Sequence, residues 1–274
     1  MNIRRRLDVE LIRRGLASSR AEAATLVAAG RVLVSGAVAD KAARQVGSAE
    51  PVILSGGPSP FVSRGGEKLA AALDEFRLEV ASRSALDVGA STGGFTDCLL
   101  QRGAALVVAV DVGHGQLHPK LRSHPRVEVM EGLNARYLHP DRLAGRRFDL
   151  VVADLSFISL RTVAPALVSV CKPGADLVVL VKPQFEAGRA VVSKGRGVVR
   201  DPQVWKDVIC SVAAEFDACG APIVGGSVSP LLGSSGNAEF FLHFCGGLGP
   251  VAPAALAEGL ASSAWALFDA KGRG

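Results

Sequence analysis

Four charged side chains in this 274-residue sequence sit where charge seldom serves packing. Lys182 follows the aliphatic run 177–181 and precedes Pro183, so it stands at the end of a strand that reads as buried on both faces. Asp154 closes the run FDLVVA in a similar position. Glu239 opens the run EFFLHF, and Lys68 begins a helix after FVSRGG. In an open, mostly parallel sheet the carboxyl ends of the strands flank the ligand crevice. Asp154 and Lys182 can therefore face each other, and Glu239 joins them if the last strand runs antiparallel. Singly, each is more often a surface charge or half of an ion pair. Together, at element ends on one edge, they are better explained as a site.

A second constellation precedes them. LDVGASTGGFTDCLL reads as a strand, a glycine-rich turn and a helix. Gly89, Gly93 and Gly94 let the backbone approach a ligand closely. Asp111 ends the next strand 22 residues after Gly89, where an acidic side chain meets ribose hydroxyls in nucleotide-binding sheets. A dinucleotide site wants G-x-G-x-x-G with phosphate on the helix N-terminus. Here Ser91 replaces the second glycine and Asp87 lies just before the turn, an awkward place for a pyrophosphate. A carboxylate there better suits a cationic, amino-bearing ligand such as S-adenosylmethionine. Asp87, Gly89, Ser91 and Gly93 are expected at its methionine end, within a loop that includes Ala90, Thr92, Gly94 and Phe95. Asp111 is expected at the ribose and Asn134 at the adenine edge, Val112 is expected among the cofactor-binding residues, and Asp154 is shared with the catalytic set. Asn134 before ARYL is equally well placed to cap a helix.

The elements that must hold these residues alternate. Strand-like runs cover 84–88, 106–110, 126–130, 148–153, 176–181 and 239–244, with a weaker one at 222–228. Helical stretches fall at 65–77, 94–102, 159–170 and 202–218. This alternation predicts an α/β domain with a mostly parallel sheet covered on both faces. Ahead of it, LDVELIRRG and SRAEAATLVAAG read as two helices. The second carries a Ser19/Glu22 capping box and Gly30 as its stop. RVLVSGAVA reads as a hairpin turning at Ser35-Gly36. The expected organisation is a small α+β domain at 1–54, a linker at 55–62, a catalytic domain at 63–250 and a helical tail at 251–274 packed on it.

Net charge is +5, and residues 1–50 hold nine Lys/Arg against five acids, so an anionic partner such as nucleic acid fits the N-terminal part. Five scattered cysteines form no C-x-x-C pair, which argues against a metal site and for free thiols in a reducing compartment. No run of about 18 apolar residues is present and no signal peptide is visible, so a soluble, cytoplasmic protein is expected.

These motifs carry a resemblance over nearly the whole chain. LIRRGLASSRAEA and GRVLVSG, then VSRGGEKL, LDVGASTGGFTD, DVGHGQL, VVADLSFISL, LVKPQFE and SGNAEFFL resemble the TlyA family. In that family an S4-type RNA-binding domain precedes an FtsJ-like ribose methyltransferase of the Rossmann-like class I fold, with a seven-stranded sheet. The resemblance implies a Lys–Asp–Lys–Glu tetrad falling on Lys68, Asp154, Lys182 and Glu239. It implies S-adenosylmethionine as cofactor and 2′-O-methylation of cytidine in ribosomal RNA of one or both subunits. The basic extension MNIRRRLD is similar to that of members acting on both. Lys182 is then the expected general base, oriented by Asp154, with Glu239 holding Lys68. Arg4, Arg6, Arg13, Arg14 and Arg20 are expected on RNA phosphates. The expected partner is ribosomal RNA, with no membrane, no metal and a monomeric state expected. Three rivals stay open: a base N-methyltransferase, since DLSF sits where such enzymes carry D/N-P-P-Y/F; a dehydrogenase; and a non-enzymatic ribosome-assembly factor.

Overall fold

The computed structural model describes residues 4–17, 19–28, 30–55, 60–195, 197–233 and 235–272. Part of the expected linker (56–59), residues 1–3 of the basic extension and the last two of the tail lie outside them. The chain divides into two compact units, residues 1–59 and 60–274.

The first unit has more strands than its sequence suggests. β1 (Arg4–Arg6) leads directly into α1 (Leu7–Arg13), and α2 (Arg20–Ala28) follows. β2 (Val32–Val34) and β3 (Ala37–Val38) form the hairpin, with Ser35 and Gly36 both at positive φ in its turn. β4 (Gln45–Gly47) pairs antiparallel with β1, and β5 (Val52–Leu54) pairs antiparallel with β2. Leu7, Leu11, Ala23, Val27, Val32, Val34 and Val46 form its core.

The second unit begins with α3 (Arg64–Glu75), β6 (Ser84–Val88), α4 (Gly94–Gln101) and β7 (Leu106–Asp111). It continues with α5 (Pro119–Arg122), β8 (Val127–Glu131), β9 (Phe148–Ala153) and α6 (Leu160–Ser169). Then come β10 (Cys171–Val181), α7 (Pro183–Glu186), α8 (Arg189–Lys194) and α9 (Pro202–Ala218). β11 (Ile223–Val228), β12 (Phe240–Cys245) and α10 (Pro253–Gly272) complete it. The seven strands lie in the order β11-β12-β10-β9-β6-β7-β8. β12 runs antiparallel to both its neighbours, and the pairs from β10 through β8 are parallel. This is a Rossmann-like class I methyltransferase sheet.

Side chains alternate across the strands. Leu86, Val88, Val108, Val110 and Val151 meet α6, α9 and α10 on one face. Ala85, Val107, Ala109 and Leu150 meet α3 and α4 on the other. Phe216, Phe240, Phe241 and Phe244 are wholly buried, each contributing about 1.5–3 kcal/mol. This two-sided core fixes the strand ends that carry the charges. Among the described residues, no helix is long and apolar enough to cross a membrane.

Candidate active site

Register alone brings three of the four charges to one edge. Val179 pairs with Ala153 across the parallel strands, so Asp154 and Lys182 leave neighbouring strands on the same side. Val181 pairs with Phe240 across the antiparallel pair, which sets Lys182 beside Glu239. Lys68 comes from the second turn of α3. The side chains form two ion pairs. Lys182 Nζ lies 2.5 Å from Asp154 Oδ1, and Lys68 Nζ donates to Glu239 Oε2 at 2.5 Å. Lys68 and Glu239 are buried, and the Lys182 side chain is 12% exposed. Lys68 and Asp154 also line one small cavity of about 120 Å³ with Ser63, Gly65 and the Gly89–Thr92 turn.

Two neighbours of this set went unnoticed in the sequence. Ser156 Oγ accepts a hydrogen bond from Lys182 Nζ at 3.0 Å, giving the amine a second fixed partner. Phe157 has φ 65° and is 91% exposed, with its ring 5.1 Å from that of Phe185. A bulky residue at positive φ with a bare ring is unusual backbone for packing alone. The signal for both was available in DLSF, a polar and an aromatic residue just beyond a strand end.

Beside the pairs lies a larger cavity of about 610 Å³, within the roughly 300–1,000 Å³ of cofactor sites. Gly89, Ser91, Asp111, Val112, Asn134 and Asp154 line it, as do Gln116, Leu133, Leu155 and Phe157, which the sequence had not singled out. Gly89 has φ +87° and an added Cβ would lie 2.4 Å from Asp154 O, so only glycine lets the turn close against the end of β9. Asp111 accepts from Ser91 N at 2.8 Å and Gly113 N at 2.7 Å, which fixes its carboxylate on the cavity wall. Asn134 caps the short 3₁₀ turn 135–137 by accepting from Arg136 N at 2.9 Å. It caps the turn, as its sequence position allows, and also lines the cavity.

Asp87 is placed differently. It is fully buried beneath the glycine turn, where Thr96 Oγ1 donates to its Oδ2 at 2.6 Å. Its Oδ1 has no hydrogen-bond partner among the described residues. Burial pushes its carboxyl up to about 7; the Thr96 hydrogen bond opposes this, and the charges of Asp154 and Asp111 reinforce it. Ala90, Thr92, Gly94 and Phe95 border the smaller cavity, while Gly93, at φ +96°, caps α4. Asp111 and Asp154 on the crevice wall and the orphaned buried oxygen of Asp87 beneath the turn suit a cationic ligand, so the donor set fits S-adenosylmethionine. Among the described residues there is no cluster of His, Cys, Asp and Glu arranged to hold a metal ion.

In the first unit the arginines are not loose. Asp8 and Glu10 are buried on α1. Arg6 and Arg20 both donate to Asp8, and Arg13 and Arg14 both donate to Glu10. The Arg6 hydrogen bond pulls Asp8 down to about 2, and the Arg13 hydrogen bond does the same for Glu10. Arg14 is 19% exposed and also donates to the carbonyls of Glu50 and Ser48. Arg4, Arg13 and Arg20 keep half or more of their side chains exposed.

Comparison with known proteins agrees with this architecture. A profile for FtsJ-like methyltransferases matches residues 61–245, and one for the S4 domain matches residues 5–52. The 16S/23S rRNA (cytidine-2′-O)-methyltransferase TlyA of Mycobacterium tuberculosis is 52% identical over 240 residues, covering 87% of this chain and 89% of that protein. A proposed rRNA methyltransferase of Bacillus subtilis, YqxC, is 46% identical over 238 residues, covering 87% and 84%. A solved structure of a proposed hemolysin from Streptococcus thermophilus superposes with a TM-score of 0.79 at 38% identity, over 100% of both chains. The chain belongs to the FtsJ-like methyltransferases and, within them, to the TlyA family, in which an S4 domain precedes the catalytic domain.

Proposed function

We propose that this protein transfers a methyl group from S-adenosylmethionine to the ribose 2′-oxygen of cytidine in ribosomal RNA, acting on both subunits as its M. tuberculosis relative is named to do. The observation that carries the reading is the pair of buried-edge ion pairs, Lys182–Asp154 and Lys68–Glu239, beside an acid-lined cavity that Asp154 shares. Proline-flanked base-methylation motifs do not need two lysines; a 2′-hydroxyl does need help to lose its proton.

When bound, S-adenosylmethionine supplies a methyl carbon made electrophilic by a positively charged sulfur. Asp111 would hold its ribose hydroxyls, Asn134 the adenine edge, and Gly89, Ser91 and Gly93 the methionine end. Asp87 would act from below, favouring positive charge through the field of a buried carboxylate. On the substrate side, Lys182 in its neutral amine form would take the 2′-hydroxyl proton and become the ammonium that pairs with Asp154, with Asp154 and Ser156 fixing where the amine points. General-base help is typically worth ~100- to 10,000-fold. Glu239 would anchor Lys68, whose charge stabilises negative charge developing on the 2′-oxygen. The bare ring of Phe157 at the rim offers a surface on which a nucleobase can stack.

The S4 unit would position rather than select. Arg4, Arg6, Arg13 and Arg20 would meet phosphates with the guanidinium edges that Asp8 and Glu10 leave open. Arg14, being mostly enclosed, would contribute more to holding α1 against the 47–50 turn. The test is methyl transfer from labelled S-adenosylmethionine to isolated subunits, with the methyl mapped to base or sugar. Methyl found only on a base would overturn the reading.

A further inference from the structure

The loops after β9 and β10 carry Asp154 and Lys182, yet the parallel ladder between them ends at Val179 and Ala153. Beyond that pair β9 and β10 are no longer bonded to each other, although Val181 still pairs with Phe240 and Asp154 N still donates to Val88 O. A further link between the two loops is made by Glu186, the last residue of α7. Its side chain is 2% exposed. Its Oε1 accepts from Leu160 N at 2.6 Å and its Oε2 from Ser159 Oγ at 2.5 Å. Arg161 closes the contact from outside, donating to Glu186 O at 3.1 Å.

Ser159 and Leu160 are the N-cap and first residue of α6, which starts six residues after Asp154. Glu186 lies four residues after Lys182, across a turn held by Pro183 and by Phe185 N donating to Lys182 O at 2.9 Å. One buried carboxylate therefore ties the far end of one catalytic loop to the far end of the other. The Phe157–Phe185 ring contact lies between these ends. A carboxylate suits this task because a helix N-terminus presents unpaired N–H groups and positive potential.

Resting on the reading of Lys182 and Asp154 as catalytic, we propose that Glu186 is a positioning residue, holding the Lys182 amine against Asp154 and Ser156 for proton transfer. A simple helix cap would stabilise α6 and leave the amine's surroundings alone. A positioning residue changes them. Misplacing a catalytic group by about 1 Å can cost on the order of 100-fold in rate.

The test uses the full chain as wild type, E186A and E186Q, at a temperature where buried Trp205 reports all three folded. The first readout is reductive methylation of lysines by formaldehyde, read by peptide mass spectrometry. Lys68, 11% exposed and paired elsewhere, serves as the internal reference. In E186A, Lys182 should label at least fivefold faster than in wild type with Lys68 unchanged. The second readout is single-turnover methyl transfer to ribosomal subunits. E186A should fall by roughly 100-fold, with S-adenosylmethionine affinity within about threefold, because most of the cofactor cavity lies outside these loops. In E186Q the amide oxygen can accept from Leu160 N and its NH₂ can donate to Ser159 Oγ, so at least tenfold of the lost rate should return. Lys182 labelling at the wild-type rate in E186A would overturn the proposal, as would E186Q falling as far as E186A. Altered labelling with a wild type that methylates no ribose would leave the clamp standing and sink the proposed function instead.

Discussion

The Lys68–Glu239 pair makes a double substitution informative. The two side chains are 11% and 3% exposed and touch at 2.5 Å. Removing one member leaves the other buried without a partner, which costs about 3–5 kcal/mol. Removing both leaves no charge to strand, so replacement by apolar groups of similar size is close to neutral. Methionine is the replacement to use. A Cβ on Gly233 would lie 2.5 Å from Glu239 Oε1, so the slot is narrow and an unbranched chain fits it best. K68M and E239M should each lose about 3–5 kcal/mol, and the double variant should lose far less than their sum, a coupling of about 3 kcal/mol or more. Urea unfolding followed by tryptophan fluorescence reads this cleanly, because both tryptophans, Trp205 and Trp265, belong to the second unit. All three variants should have lost at least 100-fold in methyl transfer. Additive losses would mean that the pair does not form in solution. A stable double variant that still transfers methyl would reduce the pair to architecture and refute the four-residue site.

The other expectations follow from single groups. Asp87 sits near 7 against an ordinary value of 3.8, so the folded state holds its proton between those values and stability falls as pH rises through that window. D87N should therefore gain stability relative to wild type by on the order of 3–4 kcal/mol at pH 8 and little at pH 4; an equal gain at both would contradict the assignment. Cofactor binding near pH 7 should also release a proton from Asp87, detectable by calorimetry in buffers of different ionisation enthalpy. D111A should weaken cofactor binding by roughly 10- to 100-fold, the cost of losing charge-assisted hydrogen bonds, while RNA affinity stays near wild type; unchanged cofactor affinity would remove Asp111 from the site. For the S4 unit, both Asp8 and Glu10 lie near 2, so their stabilising contribution is present above about 4.5 and lost as pH falls toward 2. An R13A/R14A variant should shift that acid unfolding upward, seen by amide NMR, and flatten the salt dependence of RNA binding by at most roughly one log–log unit per exposed arginine. An unchanged salt slope would return these arginines to a structural role alone.

The parts of this site that were legible in the sequence are those that topology controls. Strand ends in an alternating α/β chain share an edge, so Lys182 and Asp154 could be placed together from aliphatic runs alone. Glu239 joined them through one conditional, an antiparallel last strand, and the Val181–Phe240 register meets it. What stayed hidden depends on side-chain distances. Two separate pairs and one convergent cluster have the same sequence. Asp87 reads as a ligand-facing carboxylate near a strand end until strand alternation turns it inward beneath α4, opposite Thr96. Glu186 ends a four-residue helix, where an acid looks like solvated surface. In the first unit, β1 is three arginines and reads as a basic arm; only its pairing with β4 reveals a strand. Asp8 and Glu10 likewise look exposed until the helix folds them under the arginines they hold.

Ribose chemistry driven by Lys182 is tested most directly by single-turnover transfer of labelled methyl to ribosomal subunits, comparing wild type with K182R. The RNA is then digested in alkali, which cleaves beside a free 2′-hydroxyl and spares the bond beside a methylated one. Arginine keeps the positive charge but does not release its proton at working pH. Wild type should place the label in alkali-resistant dinucleotides carrying cytidine, and K182R should place almost none. Label in alkali-labile mononucleotides would put the methyl on a base. Transfer by K182R at near the wild-type rate would mean that Lys182 is not the base.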